Sequence, residues 1–180
     1  MRKVKLFIAL SVDGYIADKN GKVDWLQGQD EDVEPEDTYA AFIKGIDTVL
    51  MGGQTYRQVV NELSPNSWPY EGMMTYVFTH QAAKEKNEIK FTDQDPSKLV
   101  AKLKLENGKD IWVCGGANLI CQLMEANFID EYHLSIIPTL LGEGIRLFPH
   151  LDNEQQLTLV KTRSSNGIIE AVYKNRRAKH

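Results

Sequence analysis

No stretch of this chain approaches the ~20 consecutive apolar residues that a membrane-crossing helix needs, so a helical membrane protein is excluded. Cysteine is scarce. Cys114 and Cys121 form no C-x-x-C pair and sit in apolar surroundings, and both are expected to be reduced, buried small hydrophobes. The four histidines lack metal-ligand spacing, and no Ser-His-Asp or Cys-His pattern is recognisable. Excess positive charge is also missing. With 21 basic against 25 acidic residues the net charge is −4, and the pI is near 5.6. That balance argues against binding to nucleic acid or anionic lipid; the short basic end at 174–179 reads as a solvated terminus. Neither G-x-G-x-x-G nor G-x-x-x-x-G-K-[ST] occurs, which disfavours a Rossmann dehydrogenase and a P-loop nucleotidase. The apolar run after Lys5 soon meets Ser11 and Asp13-Gly14 with no small-residue cleavage site. It reads as a buried first strand rather than a signal peptide, and the cytoplasm is the expected compartment.

What is present is a globular composition of 180 residues, 42% hydrophobic and 26% charged, without repeats or low-complexity linkers. One domain over 1–180 is expected, large enough to bury roughly 70% of its unfolded surface without disulfides or metal. Strands are predicted at 4–12, 48–51, 75–79, 88–92, 111–114 and 132–138. Helices are predicted from near Pro35, with Tyr39, Phe42, Ile43 and Ile46 at helical spacing, and at 55–63. Two more are expected from Asp95-Pro96 to Asn107-Gly108 and at 117–126. Segments 157–163 and 168–174 flank Ser165-Asn166-Gly167, a strong hairpin signal. Strands alternating with helices and a closing hairpin describe an α/β fold whose sheet is mostly parallel, with antiparallel strands at the C-terminal edge.

The chemistry-bearing signal is a pair of strand–Gly-Gly–helix turns, Met51-Gly52-Gly53-Gln54 and Cys114-Gly115-Gly116-Ala117. Such a turn leaves backbone N–H groups and the positive end of a helix dipole at the carboxyl edge of a sheet, where phosphate is favoured. Glycine is required because a Cβ would stand between backbone and ligand. One turn alone also fits an ordinary tight connection. Two in one small chain suggest a crevice between neighbouring strands that grips a diphosphate from both sides.

In order along the chain stand Ile8-Ala9-Leu10-Ser11-Val12-Asp13-Gly14-Tyr15-Ile16-Ala17, Val49-Leu50-Met51-Gly52 with Thr55-Tyr56, Cys114-Gly115-Gly116-Ala117-Asn118-Leu119, and Ile137-Pro138-Thr139-Leu140-Leu141-Gly142-Glu143-Gly144-Ile145-Arg146-Leu147-Phe148. This ordered set resembles the dihydrofolate reductase superfamily. Within it, the set is most similar to the branch containing the reductase domain of bacterial riboflavin biosynthesis, the RibD C-terminal domain. The resemblance spans nearly the whole chain and implies an eight-stranded, mostly parallel sheet and NADPH as hydride donor. It puts the nicotinamide against Ala9 and Ile16 and the phosphates on Gly52, Gly53, Gln54 and Thr55. Thr79 and His80 approach the adenosine end, while Gly115, Gly116, Ala117, Asn118, Leu119 and Gln122 close over the pyrophosphate and the nicotinamide ribose. The family usually carries arginine where this chain has Gly53; Arg57, one helical turn on, or His80 are the cations at hand. A homodimer is implied as well, with the Gly142-Glu143-Gly144 loop as a contact.

Hydride delivery to a C=N or C=O bond needs a proton source and a dry pocket. In dihydrofolate reductases an acid at the start of the helix after the first loop fills that role. Counting back from Gly52 lands on Glu36, with Asp37 beside it, although first-turn acids also complement a helix dipole. The expected substrate is a small molecule: a pteridine, a pyrimidine or a carbonyl compound. His133 and Ser135 share a strand face and either line the pocket or belong to the core. Trp25 and Trp68 either lid the substrate or anchor their loops. The competing readings are a catalytically silent nucleotide-binding module or sensor and, more remotely, a flavin-binding protein.

Overall fold

Eight strands form one sheet in the order β5-β4-β3-β6-β1-β7-β10-β9, with helices on both faces. The computed structural model describes residues 1–33, 38–81, 86–149, 151 and 153–176. The strands are β1 (Val4–Ser11), β3 (Ile46–Gly52), β4 (Met74–Phe78), β5 (Ile89–Thr92), β6 (Asp110–Gly115), β7 (Glu131–Ile137), β9 (Leu157–Ser165) and β10 (Ile168–Asn175). A separate two-stranded ribbon joins β2 (Tyr15–Ala17) to β8 (Ile145–Arg146). The helices are α1 (Thr38–Ile43), α2 (Gly53–Gln58), α3 (Pro96–Leu105) and α4 (Ala117–Glu125). Every pairing from β5 across to β7 is parallel, while β10 runs antiparallel to both β7 and β9. The eight-stranded, mostly parallel sheet with a hairpin at its edge is therefore present, and the fold is dihydrofolate reductase-like. Among the described residues no helix is long and apolar enough to cross a membrane.

Alternation along the strands builds two cores. Val4 and Leu6 of β1, Leu50 of β3 and Val113 of β6 turn toward α3 and α4, meeting Leu99, Val100, Leu103, Leu119, Ile120 and Leu123. Val49 and Met51 of β3, Val77 of β4 and Trp112 of β6 turn the other way, toward Phe42 and Ile43 of α1 and Tyr56 of α2. A strand buried on both faces reads as a continuous apolar run, which is why β1 and β3 stand out in the sequence.

Topology follows from which face each helix takes. From β3 the chain passes through α2 to β4 on one side; from β6 it passes through α4 to β7 on the other. β3 and β6 are neighbours, so the two exits diverge at their carboxyl ends. Right-handed crossovers then put the helices on opposite faces and open a crevice at that switch point. The Gly52-Gly53 and Gly115-Gly116 turns stand there.

Some local expectations are corrected. Ile46 is not the last turn of α1 but the first residue of β3; Gly45 N–H closes the helix onto the Phe42 carbonyl at 3.1 Å. Its helical spacing arose because Ile46, Phe42 and Ile43 join the same core cluster from two different elements. The helix expected at 55–63 starts at Gly53 and continues as a π turn, Val59–Leu63, whose widened bond runs from Ser64 N–H to the Val59 carbonyl at 2.8 Å. The ribbon of β2 and β8 was not anticipated. At Gly144, φ is +150° and a Cβ would stand 2.2 Å from the Ala17 carbonyl oxygen, so only glycine lets β8 pass β2.

The Asn166-Gly167 turn of the β9–β10 hairpin has φ of 49° and 76°, as a primed two-residue turn requires. It also clamps the long loop after β2. Asn166 Oδ1 accepts from Asp30 N–H at 2.9 Å, and Asn166 Nδ2 donates to the Asp30 carbonyl at 2.8 Å.

Candidate functional site

At the carboxyl edge the two glycine turns touch. A Cβ on Gly116 would stand 3.5 Å from Gly52 N and 3.6 Å from Gly52 Cα, and Gly116 itself has φ of +97°. The Thr55 side chain of α2 lies against the second turn, with its Oγ1 3.6 Å from that same Gly116 Cβ position. A Cβ at those distances would be in ordinary van der Waals contact, so it is the positive φ that requires glycine at 116.

Three helices start at this edge, and they are not capped alike. Asp95 caps α3, its carboxylate accepting from Ser97 N–H at 2.8 Å and Lys98 N–H at 3.1 Å. The caps of α2 and α4 are Gly52 and Gly116, and neither helix has a side-chain hydrogen bond at its cap. With no capping side chain there, the first-turn N–H groups and the dipoles behind them suit an anionic ligand.

These turns form the floor of a cleft of about 1240 Å³. Small-molecule pockets typically run to about 300–1,000 Å³, so the volume suits a dinucleotide and a second small ligand together. All the residues expected to bind cofactor line this one cleft: Ala9 and Ile16 on one side, Gly52, Gly53, Gln54 and Thr55 at the first turn, Gly115, Gly116, Ala117, Asn118, Leu119 and Gln122 at the second, and Thr79 and His80 beyond β3. Asn118 Oδ1 accepts from Gln122 Nε2, fixing both amides on the exposed face of α4.

The cleft runs across the sheet edge in a definite sense. On the β1 side its wall carries the apolar Ile8, Ala9 and Ile16, and the loop after β2 adds Val23 and Leu26 together with the polar Asn20 and Lys22. On the β4–β5 side it is polar, with Arg57, Thr79, His80, Thr92 and Asp93. Gln58 Nε2 donates to the Gly21 carbonyl at 2.8 Å, tying the loop after β2 to α2 across the opening. These loop residues escaped sequence reasoning because nothing local marks a loop as reaching across to a helix.

Tyr70 and Cys114 also line the cleft, the phenol 3.5 Å from the thiol. Burial pushes the Cys114 thiol up to about 11 and raises the Tyr70 phenol well above its ordinary value. Both are therefore neutral at physiological pH, and this wall offers neither an anion nor a thiolate nucleophile. Both cysteines are free, each half-buried.

Other candidates fall outside the cleft. His133 lies on the α1 face, against Phe7 and Phe42, 3.4 Å from Glu131; burial lowers its pKa. Ser135 shares that face, in register with Ala9 of β1. Trp68 packs against Tyr56 and Tyr70, and Trp25 donates to the Lys22 carbonyl at 3.2 Å. Neither indole lines the cleft, so Leu26, not Trp25, supplies the apolar cover. Glu36 and Asp37 lie outside the described residues; their neighbour Thr38 opens α1 and donates through Oγ1 to Glu170 Oε1 at 2.5 Å.

Comparisons with known proteins give the family and the fold. The model of the family described as the RibD C-terminal domain matches residues 2–169. The uncharacterized protein YwjB of Bacillus subtilis is 37% identical over 173 residues, covering 96% of this chain and 97% of its own. A solved structure from Shewanella sp. PV-4, titled a putative riboflavin biosynthesis protein, superposes with a TM-score of 0.85 at 25% identity, over 97% of this chain and 99% of that one. A Thermotoga maritima diaminohydroxyphosphoribosylaminopyrimidine deaminase/5-amino-6-(5-phosphoribosylamino)uracil reductase shares the fold, with a TM-score of 0.70 at 15% identity over 97% of this chain and 57% of that one.

Proposed function

Because the chain belongs to the RibD C-terminal domain family, we propose that it is an NADPH-dependent reductase acting on a small pteridine or pyrimidine heterocycle or a carbonyl compound. One observation carries this reading: two glycine turns in backbone contact, both without side-chain caps, floor a cleft large enough for a dinucleotide. The residues present fit the cofactor: Gly116 holds a φ of +97° that side chains rarely adopt, beside the first turn, and the two helix starts there carry no capping side chain.

The N–H groups at the starts of α2 and α4, with the Thr55 side chain between the turns, would hold the diphosphate. When bound, the nicotinamide supplies the hydride. Ala9 presents only a methyl group on the β1 side and so leaves room for two stacked rings, while Ile8, Ile16 and Leu26 exclude water there. The neutral Tyr70–Cys114 pair keeps charge off the opposite wall. Glu36, with Asp37 beside it, donates or relays the proton to the atom next to the reduced carbon. The name of the Thermotoga protein supports including a phosphoribosylated pyrimidine among the substrates tried.

The test is NADPH oxidation across a panel of pteridines, pyrimidines and small carbonyl compounds, with binding followed separately by fluorescence. Turnover is expected on at least one member. The double variant Glu36→Gln, Asp37→Asn is expected to lose about 100-fold or more in kcat while NADPH affinity stays unchanged. Undiminished turnover in that variant moves the proton source elsewhere. Binding without oxidation of any panel member identifies a nucleotide sensor instead.

A further inference from the structure

One phenol in the cleft meets only a weak acceptor among the described residues. Tyr70 comes from the loop between the π turn and β4, and its ring is wedged between two indoles, 5.1 Å from Trp68 and 5.3 Å from Trp112, at interplanar angles of 90° and 88°. The loop is pinned as well: Glu88 accepts from Gly72 N–H at 2.9 Å, and the Tyr70 carbonyl accepts from Met73 N–H at 3.2 Å. Edge-to-face packing on both sides holds the ring in one place. Its hydroxyl stands 3.5 Å from the Cys114 thiol. Sulfur is a weak acceptor, so the phenolic O–H keeps most of its capacity for a better one. Cys114 directly precedes the second glycine turn, and both residues line the cleft, so it is the hydroxyl end of Tyr70 that reaches the site.

Cys114 packs in the same core cluster as Trp112 and Phe7, and Ala9 follows Phe7 on that face of β1, the strand beside β6. The hydroxyl therefore stands on the side of the sheet where Ala9 leaves room for a second ring. The cations that line the cleft belong to other elements: the exposed Lys22 to the loop after β2, Arg57 to α2, and His80 to the chain beyond β4. Burial keeps the phenol and the thiol neutral, and an anion set against them would lose hydration without gaining a cation. Resting on the reductase reading above, we propose that Tyr70 reads the substrate: its hydroxyl, seated against Cys114, donates a hydrogen bond to an uncharged carbonyl oxygen or ring nitrogen of the ring laid over the nicotinamide. The substrate thus presents a neutral acceptor at this wall.

Calorimetric titration of the NADP+-loaded protein with pterin and with uracil tests the assignment without turnover, since both rings offer neutral carbonyl oxygens. The wild-type protein is expected to bind at least one of them. Tyr70→Phe, which keeps the ring between the indoles, is expected to weaken that probe by about 3- to 12-fold, the span of one net hydrogen bond, while leaving NADP+ affinity within about twofold. The carbonyl stretch of the bound probe, read by infrared difference spectroscopy, is expected to move to higher frequency in the variant, which a packing defect alone does not produce. Raising the pH until the probe ring ionises is expected to weaken its binding to the wild type. Unchanged probe affinity and carbonyl frequency in Tyr70→Phe, equal weakening of probe and NADP+, or tighter binding of the ionised ring overturns the assignment and leaves the reductase reading standing. Binding of NADP+ with neither probe bound does the same. A wild-type protein that binds no NADP+ overturns the reductase reading and this assignment with it.

Discussion

Gly116→Val is expected to abolish NADPH binding, raising Kd by at least about 100-fold, or roughly 2.7 kcal/mol, while the protein remains folded. Two effects combine. The backbone at Gly116 has φ of +97°, a conformation that costs a non-glycine residue about 1–3 kcal/mol. The added carbons also begin 3.5 Å from Gly52 N and 3.6 Å from Thr55 Oγ1, inside the space assigned to the diphosphate. Gly116→Ala carries most of the strain with less of the plug, so its binding defect should be smaller than that of valine. Strain of this size lowers Tm by about 2–12 °C in a chain of this length, which thermal unfolding separates from loss of binding. A valine variant with near-normal NADPH affinity would show that the diphosphate does not lie between the turns.

The second large effect concerns stability and lies at the opposite end of the sheet. Arg2 is only 7% exposed. Its Nε donates to the Lys109 carbonyl at 2.6 Å and its Nη2 to Thr48 Oγ1 at 2.6 Å, with Asp47 completing the pair. Asp47 in turn accepts from Lys109 N–H at 2.7 Å, so one buried guanidinium joins the starts of β1, β3 and β6. Arg2→Ala removes the guanidinium that donates to the Lys109 carbonyl and Thr48 Oγ1, and takes the cation from Asp47, which keeps its bonds from Lys109 N–H and Thr48 Oγ1. Removing one partner of a fully buried pair costs about 3–5 kcal/mol. Asp47, at 34% side-chain exposure, can recover some hydration, so we expect about 2–3 kcal/mol and a fall in Tm of about 4–12 °C. NADPH affinity measured well below the transition should be unchanged. A Tm within a degree or so of wild type would show that water fully replaces the guanidinium.

What the sequence made legible was what contiguous residues encode. The strand–glycine–helix turns are such features, because the apolar run, the two glycines and the helix start are adjacent in the chain. The Asn166-Gly167 hairpin and the Asp95 cap are others. Less legible were features built by distant pairing. β2 and β8 span three residues and two, too few for alternation to register, and their pairing joins Tyr15 to Arg146. Helical spacing misassigned Ile46 because a strand entering the same core cluster repeats the apolar pattern across a glycine. The glycine-turn residues expected at a cofactor site do line one cleft, whereas its cover was not anticipated: Asn20 to Val23 and Leu26 reach it through the Gln58–Gly21 bond, which no local pattern announces. Trp68 drew attention as a loop aromatic, yet a large apolar ring near Tyr56 and Tyr70 gains more by packing than by facing solvent.

A crystal structure of the protein grown with NADPH addresses the main claim directly. The account predicts phosphate oxygens within about 2.7–3.2 Å of the backbone N–H groups opening α2 and α4, with the nicotinamide ring against Ala9. Cofactor bound elsewhere on the protein, or a cleft still empty at saturating NADPH, would contradict it.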